Sequence, residues 1–198
     1  MTSRQFETLL KKRTGCDDMI IYVVPEKWYK EYMPEGENLP VYQLPESVFW
    51  ERNNFINIRN SRSIDPNRGV PVNGPHILKL QFDDVRELPA VRRLPFDVQM
   101  AERIVDFIGS CDLSRPLYIN CSAGISRSGA VGESLNRFIN QMLLKNEADY
   151  RLFFRNNPQL DPNPLVKDIL GNVIASHLRK NKKGKPGITQ DERESQSF

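Results

Sequence analysis

The 198-residue chain holds only two histidines, His76 and His177, and three cysteines, Cys16, Cys111 and Cys121. It contains no CxxC pair and no Cys/His cluster. That speaks against a structural zinc centre, and no metal or other cofactor is expected. So sparse and odd a cysteine set is not a disulfide framework and fits a reducing compartment. No apolar stretch approaches the length of a membrane span. The opening Met1-Thr2-Ser3-Arg4-Gln5 lacks a signal-peptide core, so the expectation is a cytoplasmic protein without a membrane partner. Charge of one sign is scarce too. A formal net charge of +3 gives no case for nucleic acid as a partner. Much of that charge lies in Arg179-Lys180-Asn181-Lys182-Lys183-Gly184-Lys185, which reads as part of a solvated tail. There is no internal repeat, and nothing in the composition bears on oligomeric state.

A hydrophobic content of 39% over this length supports one well-formed core. Residues 1–18 read as an N-terminal extension with a short helix around Phe6 to Leu10, 19–178 as one domain, and 179–198 as a disordered tail. Within the domain, Met19–Val24 is a compact apolar run closed by Pro25, and Phe55–Arg59 and His76–Phe82 alternate in polarity. These three and Leu117–Ile119 are the expected strands. Expected helices cover Glu26–Tyr32, a stretch capped by Asp97 with Met100, Ala101, Ile104, Val105 and Ile108 on one face, and a long segment from Val131 to Leu143. Two more cover Tyr150–Phe154 and Pro164–Leu178. Strands separated by helices predict an α/β fold with a mainly parallel central sheet flanked by helices.

The strongest signal is Leu117-Tyr118-Ile119-Asn120-Cys121-Ser122-Ala123-Gly124-Ile125-Ser126-Arg127-Ser128-Gly129. A strand runs into a cysteine, five residues intervene, and Arg127 and Ser128 open a helix. The loop then sits at the carboxyl end of a central strand, where open α/β sheets place ligands. Backbone N–H groups of Ser122, Ala123, Gly124, Ile125, Ser126 and Arg127 can converge on one tetrahedral anion, helped by the helix dipole. The same field favours the thiolate of Cys121. Arg127 offers a planar fork for two phosphate oxygens. Gly124 lets the backbone turn tightly. Ser128 either donates to the sulfur or simply starts the helix, and the two roles are compatible. Cysteine, cradle and arginine together point to attack of sulfur on phosphorus.

The run Cys-Ser-Ala-Gly-Ile-Ser-Arg-Ser-Gly resembles the signature loop of the protein tyrosine phosphatase superfamily. Its position after several strands is similar to the classical and dual-specificity branches. The resemblance implies a cysteinyl-phosphate intermediate, no metal, and an aspartic acid upstream that protonates the leaving oxygen. Phe82-Asp83-Asp84-Val85 resembles the strand-then-aspartate site of compact dual-specificity and bacterial enzymes, with Asp84 placed 37 residues before Cys121. Asp84 is the preferred acid and Asp83 its competitor; Asp65 is an outsider, and Asp97 is better explained as a helix cap. The stretch from Phe153 to Val166 is similar to the ending of small bacterial and phage phosphatase-like proteins.

One departure stands out: the family's residue before the cysteine is histidine, and here it is Asn120. Asparagine supplies no cation, so the thiol is expected to be less acidic than with histidine. The loop also lacks lysine, unlike phosphoinositide-directed relatives, which favours a phosphorylated protein as substrate, with phosphotyrosine foremost and dual specificity open. Arg86, Arg92 and Arg93 read first as surface charge and second as steering for an anionic substrate. Two rival readings stay open. One is a phosphoprotein-binding module with weak or no turnover; the other is a sulfur- or arsenate-handling enzyme that would need a second thiol.

Overall fold

The computed structural model describes residues 19–28, 51–63 and 74–183. The expected helix near Phe6 to Leu10, the second half of Glu26–Tyr32, Asp65, Cys16 and residues 184–198 lie outside the described residues. Four strands, β1 (Ile21–Pro25), β2 (Asn54–Arg59), β3 (Ile77–Gln81) and β4 (Leu117–Cys121), form one sheet in the order β1-β4-β2-β3. Every pairing among them is parallel, so the fold is α/β with all four carboxyl ends on one edge. In register, Asn57 of β2 lies opposite Asn120 of β4. The reactive run therefore leaves the sheet from an interior strand.

Strand alternation divides the sheet between two apolar clusters. Ile21, Val23, Ile56, Ile58, Leu80, Leu117, Ile119 and Cys121 belong to the large core shared with the helices. Val24 and Phe55 anchor the other face, where Trp28, Ile77 and Tyr118 pack on them. Tyr118 stacks there on Tyr22, Trp28 and Phe55, at centroid distances of 4.8, 5.5 and 5.6 Å. Each fully buried Ile, Leu or Phe contributes about 1.5–3 kcal/mol. Most of the apolar stabilisation among the described residues therefore lies on the helix side, beneath the reactive loop.

The helices are α1 (Val98–Ser110), α2 (Arg127–Asn136), α3 (Glu147–Asn156) and α4 (Pro164–Lys183). Asp97 caps α1, its Oδ1 accepting from Met100 N at 2.8 Å, as its sequence position suggests. Residues 137–143 continue α2 as a π-helix, which the apolar spacing did not predict. Buried Asn140 in that stretch clamps the start of β1. Its Nδ2 donates to the Met19 carbonyl at 3.0 Å and its Oδ1 accepts from Met19 N at 3.3 Å. Helix α2 also lies tight on β1: a methyl group at Gly132 would stand 2.7 Å from Val23 Cγ2. These contacts fix the helix whose first residues are Arg127 and Ser128. Helix α4 reaches Lys183, beyond the expected end at Leu178 and into the segment assigned to the tail. Lys and Arg have good helix propensity, so loss of apolar periodicity did not end the helix. Among the described residues no helix is long and apolar enough to cross a membrane.

Candidate active site

The site is built outward from the last residues of β4. Alternation turns Cys121 toward the helices and Asn120 toward the opposite face. Asn120 Nδ2 donates to Asn57 Oδ1 across the strand pair at 2.9 Å, fully inside the protein. This amide pair anchors the residue before the cysteine. Cys121 is 2% exposed, whereas Ser122, Ala123 and Ile125 form an exposed rim.

The chain turns back at Gly124, whose φ is +69° and where a Cβ would stand 2.5 Å from Pro25 N. Only glycine meets both constraints. The turn aims backbone N–H groups of Gly124 and Ser128 at the sulfur. Ser128 Oγ lies 3.1 Å from Sγ. Burial pushes the thiol up. The Ser128 hydroxyl, the Ser128 N–H, the Arg127 charge and the Gly124 N–H outweigh it and hold Cys121 below the ordinary thiol value. The missing histidine cation therefore does not leave an ordinary thiol.

Arg127 is 5% exposed. Its Nη1 donates to the Phe82 carbonyl at 2.7 Å and its Nη2 to Ser122 Oγ at 3.2 Å. Its Nε is buried without a hydrogen-bond partner. A guanidinium braced through both terminal nitrogens is held in place, and its charge acts on Cys121. Arg59 is also buried at this edge, where it pairs with Glu26. By alternation it starts from the face opposite Cys121, so it does not join the sulfur.

The two candidate aspartates are held very differently. Asp83 Oδ1 accepts from Ser61 N at 3.1 Å, and its Oδ2 from Ser61 Oγ at 2.6 Å and Leu94 N at 2.9 Å. Slight burial raises its pKa, but these bonds and the Arg127 charge hold it below the usual carboxylate range. Asp83 is a clamp kept as the anion. Asp84 reaches the reactive loop instead: its Oδ1 accepts from Ser126 Oγ at 2.8 Å and from Asn163 Nδ2 at 2.7 Å. Its Oδ2 accepts no hydrogen bond among the described residues. Cys121, Arg127 and Ser128 thus stand together, Asp84 reaches their loop through Ser126, and the oxygens of Asp83 are taken up by Ser61 and Leu94.

The sequence reading gave Asn163, which directly precedes the expected helix Pro164–Leu178, no role of its own. It is fully buried and joins three elements. Its N–H donates to the Ser126 carbonyl at 3.2 Å, its Nδ2 also reaches the Val85 carbonyl at 2.9 Å, and its Oδ1 accepts from Val166 N at 3.1 Å. The last bond caps α4. An asparagine directly before a proline and an apolar helix was the available signal. Arg86, read as surface charge, forms a two-pronged pair with Asp161 at 2.7 and 2.9 Å and straps the same segments together. Cys111, the other described cysteine, is buried in the connection that enters the amino end of β4, away from the reactive edge.

Chemically, the arrangement offers a polarised thiol, a braced guanidinium, inward N–H groups and a carboxyl group on the rim. No family model matches the chain, and no curated protein is similar to it. Among solved structures it is similar to PTPMT1, both alone and in complex with PI(5)P, at 12% identity and TM-scores of 0.46 and 0.47. Those alignments cover 84% and 83% of this chain and 97% and 96% of the matched chains. At that distance the chemistry of the site rests on its own residues.

Proposed function

We propose that the protein is a cysteine-dependent phosphatase that hydrolyses phosphomonoesters of protein substrates, phosphotyrosine foremost, through a cysteinyl-phosphate. Thiolate Cys121 attacks phosphorus and the P–O ester bond breaks. The leaving oxygen takes a proton from the Asp84 carboxylic acid, delivered from Oδ2. Water then attacks the phosphocysteine and gives its proton to Asp84; the S–P bond breaks, phosphate departs and the thiolate returns. Arg127 and the loop N–H groups hold the phosphoryl oxygens as charge redistributes. Ser128 donates to sulfur and eases its departure in the second step. Absence of lysine from the loop supports a substrate with a single phosphate at the reacting centre.

The observation that carries this reading is Ser128 Oγ at 3.1 Å from Cys121 Sγ, with Arg127 and the loop N–H groups helping to hold that thiol below its ordinary value. The test is vanadate-sensitive hydrolysis of p-nitrophenyl phosphate by the full chain. Cys121→Ser should lower turnover by about 10³-fold or more, since the intermediate can no longer form. Asn120 favours a second reading, a phosphoprotein-binding module: tight phosphopeptide binding with no turnover by the unaltered protein would establish that module and remove the enzyme.

A further inference from the structure

Beside the proposed acid lies an open cavity of about 450 Å³ lined by Asn60, Arg62, Asp83, Asp84, Val91, Arg92 and Arg93. We propose that this cavity is a second anion subsite, which selects phosphopeptides carrying acidic residues next to the phosphorylated one. The proposal rests on the phosphatase reading, because it places the cavity on the leaving-group side of Asp84.

The sequence ran Arg86, Arg92 and Arg93 together as surface charge, and the structure separates them. Arg86 is neutralised by Asp161. Arg92 and Arg93 have no side-chain hydrogen bond or ion pair among the described residues. Arg62 joins them from the far end of β2: its Nη2 donates to the Arg92 carbonyl at 3.3 Å. That bond braces a turn in which Arg92 takes a φ of +59°, a left-handed conformation uncommon for a residue with a side chain. A strained turn thus gathers three guanidinium groups from two segments.

The carboxylates in the same wall offset only part of this charge, since three guanidinium groups face Asp83 and Asp84. Asp83 has both oxygens engaged by Ser61 and Leu94. Arginines together with Val91, which is 79% exposed, and exposed Leu88 and Leu94 on the same segment match the make-up of a peptide-binding surface. A concavity admits an extended chain.

Binding to the Cys121→Ser protein tests this without turnover. Two fluorescent phosphotyrosine peptides are compared, one with Asp and Glu at the flanking positions and one with Asn and Gln. The acidic peptide should bind about fivefold tighter at low salt, as two exposed charge pairs allow. That ratio should fall to near one when Arg92→Asn, which tolerates the left-handed backbone, is combined with Arg93→Gln. In Arg93→Glu alone, a Lys-flanked peptide should become the better ligand. Equal affinities at the outset, or a ratio unmoved by both variants, overturns the subsite. Binding to phosphatidylserine vesicles with no discrimination between peptides also overturns it and marks the segment as a membrane surface. Should unaltered protein fail to cleave p-nitrophenyl phosphate while the peptide ratio holds and responds, the subsite stands and the enzyme reading falls; cleavage without a ratio gives the reverse.

Discussion

The reactive loop and the segment bearing Asp84 present opposite physical conditions to the substrate that the proposed activity requires. In the loop, Cys121 and Arg127 are almost wholly buried and Ser128 is fully so, and each is tied to backbone or to its neighbour. On the other side Asp84 is exposed, and so is most of the chain from Arg86 to Leu94. Electrostatic stabilisation works best where dipoles are fixed and water is excluded. Proton delivery needs reach and access to a varied leaving group. The difference teaches that rigidity is concentrated where charge develops, and openness where the substrate differs from one molecule to the next.

The sharpest way to break that comparison is to exchange the adjacent carboxylates. Asp84→Asn keeps the Oδ1 contacts nearly intact and removes only the transferable proton. Turnover of a poor leaving group, an alkyl or aryl ester, should drop by about 10²–10⁴-fold with little change in KM. Asp83→Asn should act on the fold instead. It loses charge-assisted bonds from Ser61 and Leu94, which costs about 1–3 kcal/mol in urea unfolding, while turnover falls far less. If Asp83→Asn produces the larger kinetic loss, the assignment of clamp and acid is inverted.

How much of this could be read beforehand differs between the two regions for a physical reason. The loop is contiguous: Cys121, Gly124, Arg127 and Ser128 act on one another within eight residues, so local spacing carries the chemistry. The parallel sheet and the Asp97 cap were legible for the same reason, as short periods and local caps. The acid side is assembled from afar. Ser61 meets Asp83 across 22 residues, and Asn163 meets Asp84 across 79. No local pattern announces such contacts, so sequence could prefer Asp84 without excluding Asp83, and Asn163 and Arg62 passed unnoticed. The π-helical continuation of α2 was equally hidden, and Asn140 within it reaches the Met19 backbone 121 residues away.

Asn163 is where the rigid and the open region are joined, so loosening it should blur the contrast by a smaller amount. Asn163→Ala removes the bonds to Asp84 and Val85 and the cap on α4. The expected result is a loss of about 1–3 kcal/mol in stability and roughly tenfold slower turnover, because Asp84 is no longer aimed. Asn163→Asp sharpens the test. It can keep the cap on Val166 N yet sets a carboxylate against Asp84, so stability should recover more than turnover does. Parallel recovery of both would mean that Asn163 serves the fold alone.

The smallest effect concerns the rigid side itself, and its sign follows from the thiol. Ser128 is the strongest of the groups that lower Cys121 against the opposing effect of burial. Ser128→Ala should therefore move the pH midpoint of iodoacetamide alkylation upward, toward that of an ordinary thiol, and the phosphocysteine step should slow because the departing sulfur loses a donor. Linkage adds a readout independent of activity. A group whose folded pKa lies below its unfolded value stabilises the fold above the unfolded value, and that contribution disappears as pH falls through the folded one. The deficit of Ser128→Ala in urea unfolding should thus be larger at alkaline pH than at pH below the Cys121 midpoint. A deficit that does not change with pH would assign Ser128 to helix packing and leave the low thiol value to Arg127 and the loop N–H groups.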